Sequence, residues 1–266
     1  MSNRLALTQI GSVGPTENAA DPIGIIQALK RMTAVLFLCV IVAIIFMVLE
    51  ILVRLERYLP WVIHPPGIEL DPPGARVIQH PTLGYVSRPI SMTVKLTGAW
   101  GAGSFRLGRL PNGLRPTHPV ETYSAESKPE IWIFGCSWTE GWGLEDHETF
   151  PWLLQKMFTY HEVVNFGVAG YSTVQSLIQM REALQGGRKP DIAVLTYGSW
   201  HDERNCLARS WFKHAITYGA TLKKNALLPY VKVGRDNEPV ILYKKFRYHP
   251  TFLLRHSALV NLLDQK

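Results

Sequence analysis

Residues able to do chemistry gather at three short turns of the 266-residue chain. Gly135-Cys136-Ser137 offers a thiol and a hydroxyl, Gly167 to Gly170 offers bare backbone, and Gly198 to Asp202 offers His201 beside a carboxylate. Trp138, Trp142 and Trp200 crowd the same turns, where they suit either an acyl or partner pocket or ordinary packing. The three cysteines, Cys39, Cys136 and Cys206, are too few for a disulfide scaffold, and no C-x-x-C pair suggests zinc. No metal or cofactor is expected. Cys136 and Cys206 could bridge in an oxidising compartment, but two free thiols are the expectation. Cys39 lies in an apolar run and reads as a small lipid-facing or packing residue.

Each turn follows a short apolar run. Glu130 to Phe134, Glu162 to Phe166 and Ile192 to Tyr197 are predicted as strands. Between them Phe150 to Thr159 is predicted helical, with Pro151 suited to its first turn. A second helix opens at Ser172, whose spacing to Gln175 is that of a capping box, and Val174, Leu177, Ile178 and Leu184 make its apolar face. Strands alternating with helices imply a parallel sheet with helices on its faces, and ligands of such sheets bind at the carboxyl ends of the strands. Upstream, residues 58–125 are rich in Pro and Gly, as in Pro65-Pro66-Gly67 and Pro72-Pro73-Gly74, and predict an irregular lead-in to a domain over 126–266. Downstream, a basic insertion at about 205–256 holds ten Lys or Arg against Asp236 and Glu238. It reads as a face for anionic lipid or an acidic protein, or as a solvated surface. A helix is predicted from Thr251 to Leu263.

Hydrophobic residues make up 47% of the chain and charged ones 18%, which excludes a disordered protein and leaves room for a membrane segment. From Thr33 to Leu49 no residue is charged. Continued to Val53, the run makes roughly 31 Å of helix at about 1.5 Å per residue, matching a hydrocarbon core of about 30 Å. Glu50 and Arg54 stand one turn apart and can pair, and Tyr58 and Trp61 follow where an interfacial aromatic belt would sit. A soluble tail over 1–30 and one retained transmembrane helix over 31–57 are predicted. The run is apolar all round, unlike a core helix, and no small-x-small cleavage site follows it, unlike a signal peptide. Lys30 and Arg31 at one end against Arg54 and Arg57 at the other leave orientation undecided by charge. The net charge of +7 suggests anionic partners; nucleic acid is not expected, because no recognition motif is present.

At its three turns the sequence resembles the SGNH hydrolase family, the GDSL esterases. The family's first block, Gly-Asp-Ser after the first strand, is matched by Phe134-Gly135-Cys136-Ser137-Trp138-Thr139-Glu140-Gly141. The second, with a Gly after the second strand, is matched by Asn165-Phe-Gly-Val-Ala-Gly170-Tyr-Ser-Thr173, and the third, Gly-x-Asn-Asp, by Gly198-Ser-Trp-His-Asp202. His80-Pro-Thr-Leu-Gly-Tyr85 and Asn112-Gly-Leu-Arg115 resemble membrane-anchored members, so the resemblance covers roughly residues 80–205. It implies a flavodoxin-like α/β fold with helices on both faces of a parallel sheet. The strand order would be two, one, three, four, five, and this chain supplies the first three. It further implies Ser137 as nucleophile toward an acyl carbonyl, Gly170 as an oxyanion donor, and a late Asp-x-x-His block as base and orienter.

Three departures stand against that chemistry. Cys136 replaces the Asp of the first block, no Asn fills the third, and no Asp in the chain has a His three residues on. Aligned on Asp202, His201 takes the Asn slot; aligned on Gly198, Trp200 does. A serine without a base is a weak nucleophile, and losing a triad member costs several powers of ten in rate. His201 is expected to be a surface-loop histidine. The alternative is a rebuilt Ser137–His201 pair, with His201 as base or oxyanion donor and Asp202 beside it. The expectation is therefore a truncated, catalytically degenerate SGNH-like domain behind one transmembrane helix. It would sit in the inner membrane of a bacterium, N-terminus cytoplasmic and domain periplasmic or extracellular. Its partners would be the bilayer and the other subunits of a membrane complex in which it is an accessory subunit. A serine esterase or O-acyltransferase using Ser137 is the alternative. Ile192 to Tyr197 would form an apolar sheet edge, to be covered by Val240 to Tyr243 or by a partner.

Overall fold

The computed structural model describes residues 22–61, 67–74, 76–97, 102–123, 128–218, 226–247 and 249–264. The chain divides after Leu59 into two units. The first holds helix α1, Pro22–Leu55, whose apolar side chains are exposed all round. At about 1.5 Å per residue it is about 51 Å long, more than a hydrocarbon core of about 30 Å requires. The helix starts earlier than the sequence suggests, because Ile23, Ile25, Ile26 and Leu29 continue the apolar run ahead of Lys30. Residues 22–30 are thus helix and not tail; residues 1–21 of the expected tail lie outside the described residues. Arg54 Nε donates to Glu50 at 2.7 Å, the one-turn pair expected from their spacing.

The lead-in of the second unit, expected to be irregular, is built of short strands. It forms β1 (Gly67–Asp71), β2 (Val77–His80), β3 (Gly84–Ser87), β4 (Met92–Thr97) and β5 (Gly103–Leu107). β2 and β3 make a hairpin, and β1, β4 and β5 an antiparallel sheet in the order β1–β4–β5. Pro72, Pro73 and Gly74 fall between β1 and β2, and Gly67, Gly84 and Gly103 open β1, β3 and β5. Met92, Val94, Phe105 and Leu107 alternate into one buried face, against which Trp142 packs edge-on to Phe105.

The next elements are β6 (Glu130–Phe134), α2 (Ser137–Glu140), α3 (Phe150–Met157), β7 (Glu162–Asn165), α4 (Thr173–Gln185), β8 (Ile192–Leu195) and α5 (Trp200–Asn205). The three strands are parallel in the order β7–β6–β8. Leu154 of α3 packs with Ile131, Ile133 and Val163 on one face of the sheet, and Met180 and Ala183 of α4 pack with Trp132, Phe134 and Phe166 on the other. Helices on both faces follow from that alternation. The capping box of α4 forms as its spacing predicts: Ser172 Oγ accepts from Gln175 N and Gln175 Oε1 from Ser172 N. Its apolar face differs. Val174 and Ile178 are buried, but Leu177 and Leu184 are exposed, because Gln175 turns inward to donate to the Leu83 carbonyl at 3.0 Å.

Beyond α5 come α6 (Arg209–Tyr218), β9 (Leu227–Val233), β10 (Pro239–Lys245), α7 (Phe252–His256) and α8 (Ala258–Leu263). The single helix expected from Thr251 to Leu263 is two, since Ser257 stops the first and caps the second, accepting from Val260 N at 3.1 Å. β10 pairs with β9 and does not cover β8 as the sequence suggested. β9 instead carries Leu228 into the core formed with Tyr85, Tyr171, Val174 and Phe212. Ile192, Val194 and Leu195 of β8, whose apolar run resembles that of buried β6, consequently remain exposed.

The loops at the strand ends are tied together by a buried carboxylate. Glu140, fully buried in α2, accepts from Arg109 and from the Ala169 amide at 3.0 Å, with Arg76 at 3.5 Å. Arg115, also buried, donates to the carbonyls of Glu140, Gly141, Leu144 and Arg106 and to the Asp146 carboxylate. Burial pushes the Glu140 carboxyl up, but the Arg109 and Arg76 charges outweigh it and hold it below the usual carboxylate range. Removing the carboxylate strands the Arg109 charge in the interior, at a cost of roughly 3–5 kcal/mol. In the full chain in detergent, Glu140→Gln is expected to lose stability of that order in chemical denaturation followed by tryptophan fluorescence. Because the folded pKa is depressed, the stabilisation is complete above the ordinary carboxylate value of 4.5 and lost as pH falls through the folded value. The gap between wild type and variant should therefore close in acid. Equal stability at neutral pH would refute this role for Glu140.

Candidate functional site

The three turns identified in the sequence meet at the carboxyl end of β6. Thr196 N donates to the Phe134 carbonyl at 2.9 Å, so the residues after β8 run beside the turn that follows β6. Gly135 is required there, since a Cβ would lie 2.0 Å from Thr196 Oγ1 and 2.1 Å from Thr139 Oγ1. Those two hydroxyls bond each other and close the joint between α2 and the end of β8. Gly167 presses against α2 from the other side; a Cβ on it would stand 2.4 Å from the Glu140 amide nitrogen. Asn165 donates to the Thr139 carbonyl at 3.0 Å and accepts from Gly167 N at 2.9 Å, fixing that loop.

Cys136 is the N-cap of α2 and Ser137 its first residue. Ser137 is half-buried, whereas Cys136 is buried. Gly170 takes a left-handed backbone, φ 87°, and a Cβ there would strike the Tyr85 hydroxyl at 2.5 Å. The second-block glycine set against the helix bearing Ser137 is thus Gly167, with Gly170 set against Tyr85 and Trp211.

His201 is not a surface-loop residue. It is 1% exposed, because α5 begins directly after the third turn and turns this one residue of its first turn inward. The imidazole stacks on Tyr197 at 5.5 Å, and its Nδ1 lies 3.0 Å from both the amide and the carbonyl of Gly198. Gly198 can anchor either tautomer, donating to a bare Nδ1 or accepting from a protonated one. Nε2 is buried with no hydrogen-bond partner among the described residues. Asp202 does not orient this ring. It is exposed and accepts from the Tyr197 hydroxyl, which raises the Tyr197 pKa.

The sulfur of Cys136 meets His201. Burial pushes the thiol up. The His201 side chain, the Trp138 amide, the Trp200 indole N–H and the Arg204 charge together outweigh burial and bring it down to about 6. Trp200 in turn stacks on Trp138 at 5.6 Å. Both Cys136 and Cys206 are free thiols; Cys206 is exposed, with its thiol on the Asp202 carbonyl at 3.2 Å. Of the residues singled out from sequence, His201 and Cys136, the neighbour of Ser137, come together. Asp202 is turned away, and Trp142 belongs to the β4–β5 face, where Arg76 lies over its ring. The nearness of Cys136 to His201 has no signal in the sequence, since the two residues lie in distant turns that only the fold joins.

No family model and no curated protein matches the chain. Among solved structures it is similar in part to AlinE4, an SGNH-hydrolase family esterase, at 22% identity and a TM-score of 0.27. Two variants of that esterase align at 22% and 21% identity, with TM-scores of 0.27 and 0.26. The alignment takes in 36% of this chain and spans 57% of the esterase's length.

Proposed function

We propose that this chain is a membrane-anchored, SGNH-like subunit of a larger membrane assembly and not a free-standing serine esterase. The observation that carries this reading is the bare edge of β8. Ile192, Val194 and Leu195 are 45%, 38% and 51% exposed along a strand hydrogen-bonded on one side only. Fully covering such a side chain is worth roughly 1.5–3 kcal/mol, and an uncovered apolar edge invites pairing. A partner subunit that lays a strand along β8 meets both needs. The state of Ser137 agrees with a non-hydrolytic role. His201, the imidazole at the neighbouring strand end, is held by Gly198 and faces Cys136, and among the described residues no imidazole bonds the serine hydroxyl that a base would have to activate.

The anchor is α1, in the inner membrane of a bacterium, with the second unit on the periplasmic or extracellular side. Protease added to intact spheroplasts is expected to cut the second unit. Protection of that unit, with cleavage ahead of α1, would reverse the orientation.

Mild detergent extraction of native membranes is expected to bring the chain out in a complex with a second protein. Val194→Lys, which puts a charge on the β8 edge, should release it. A stable, non-aggregating monomer from wild-type membranes would overturn the subunit reading. Turnover of short-chain nitrophenyl esters is expected to be the same for wild type and Ser137→Ala. A large Ser137-dependent rate would favour the esterase or O-acyltransferase instead.

A further inference from the structure

A thiol next to a serine at the end of a central strand would be unremarkable in an inert pocket, but Cys136 is not in one. Three N–H-bearing groups from two elements converge on its sulfur: the His201 imidazole, the Trp200 indole and the Trp138 amide. His201 is more than nine-tenths buried, and its Nε2 has no hydrogen-bond partner among the described residues, so an unsatisfied polar atom is committed to the interior beside the thiol. The opposite ring nitrogen is pinned at 3.0 Å to Gly198 on both its donor and acceptor sides, which leaves the ring free to take up or give back a proton at Nε2 without turning. A buried base left unsatisfied by oxygen or nitrogen is costly unless it has a task, and a thiol is the group whose proton it can take.

We propose that Cys136, with His201 as its base, is the nucleophile of this site and takes acyl groups from activated acyl carbonyls, esters or thioesters. The inference goes beyond the subunit reading and does not need it. The S–H proton passes to His201 Nε2, and the sulfur attacks the carbonyl carbon. An S–C bond forms, and the bond from that carbon to the leaving oxygen or sulfur breaks. The leaving group takes the proton back from Nε2. The products are a Cys136 thioester and a free alcohol or thiol, with no oxidant or cofactor required. The stacked indoles of Trp138 and Trp200 supply an apolar wall beside the sulfur, suited to a hydrocarbon acyl chain. The charged and titratable groups facing the thiol are His201 and Arg204 from α5, with Tyr85 of β3 within electrostatic reach. Of these, His201 and Arg204 favour the thiolate.

The test uses the full chain in detergent with Cys39 and Cys206 replaced by Ser, so that Cys136 is the remaining thiol. Iodoacetamide alkylation is followed against pH, and acylation by p-nitrophenyl acetate is followed by intact mass and peptide mapping. The alkylation midpoint is expected near 6, against the ordinary thiol value near 8.5. His201→Gln should lower the alkylation rate at pH 7 by about tenfold. One acetyl group should appear on Cys136, be removed by neutral hydroxylamine as a thioester is, persist in Ser137→Ala and vanish in Cys136→Ala. Should His201→Gln fail to fold, the wild-type midpoint and the site of the acetyl group still decide. An ordinary midpoint, or an acetyl group on Ser137 that survives Cys136→Ala, overturns the proposal.

Discussion

The buried carboxylate of Glu140 is the constraint on which the second unit is organised. A charge in that position is tolerated only while every lone pair is engaged, and its partners come from separate parts of the chain. Arg76 and Arg109 belong to the antiparallel lead-in, and the Ala169 amide to the loop after β7. Arg115 reaches past it to four carbonyls around α2. The lead-in strands are thereby part of the site's support and not an appendage to it. Two of Arg109's own nitrogens remain without partners, which shows how strongly the cluster relies on the single Glu140 contact.

From that anchor the geometry of the strand ends follows. α2 is one turn long and would not persist alone, since so short a helix has little to hold it. It is fixed by Glu140 beneath it, by Asn165 and Gly167 on the β7 side, and by the Thr139–Thr196 hydroxyl bond on the β8 side. Those contacts set where Cys136 and Ser137 point. The serine is left half-exposed, while the cysteine, one residue earlier, turns under the β8–α5 segment toward His201. In the family that the three turns resemble, the cysteine's place holds a carboxylate. A thiol there can still carry negative charge among several N–H donors, and unlike a carboxylate it is a strong nucleophile in that state.

Much of the parallel core was legible because burial on both faces leaves a plain signal. Glu130 to Phe134 is a strand end to end, and the Ser172–Gln175 capping box marks its helix to the residue. The lead-in was not legible, because strands of four to six residues between Pro and Gly turns carry too little periodicity to stand out. The buried ionic cluster was equally hidden. Arg76, Arg109, Arg115 and Glu140 are ordinary surface types, and only the fold brings them together. The start of α1 was misplaced because Lys30 and Arg31 look like a boundary, although apolar residues continue on their N-terminal side. His201 was read as a loop residue because nothing local says that α5 begins at once and turns it inward.

The bare edge and the buried pair are physically one problem. β7 and β8 are both edge strands of the parallel sheet, and β8 is the one whose residues are exposed throughout. Its C-terminal continuation carries Thr196, which locks α2, and then Gly198, which holds the His201 ring. Loosening of β8 from β6 would reach both of these contacts. A strand laid along the free edge of β8 would remove that freedom, stiffening the segment from Ile192 to His201 without touching Cys136 itself. β8 and its continuation thus supply both the bare edge and the groups that hold α2 and the His201 ring.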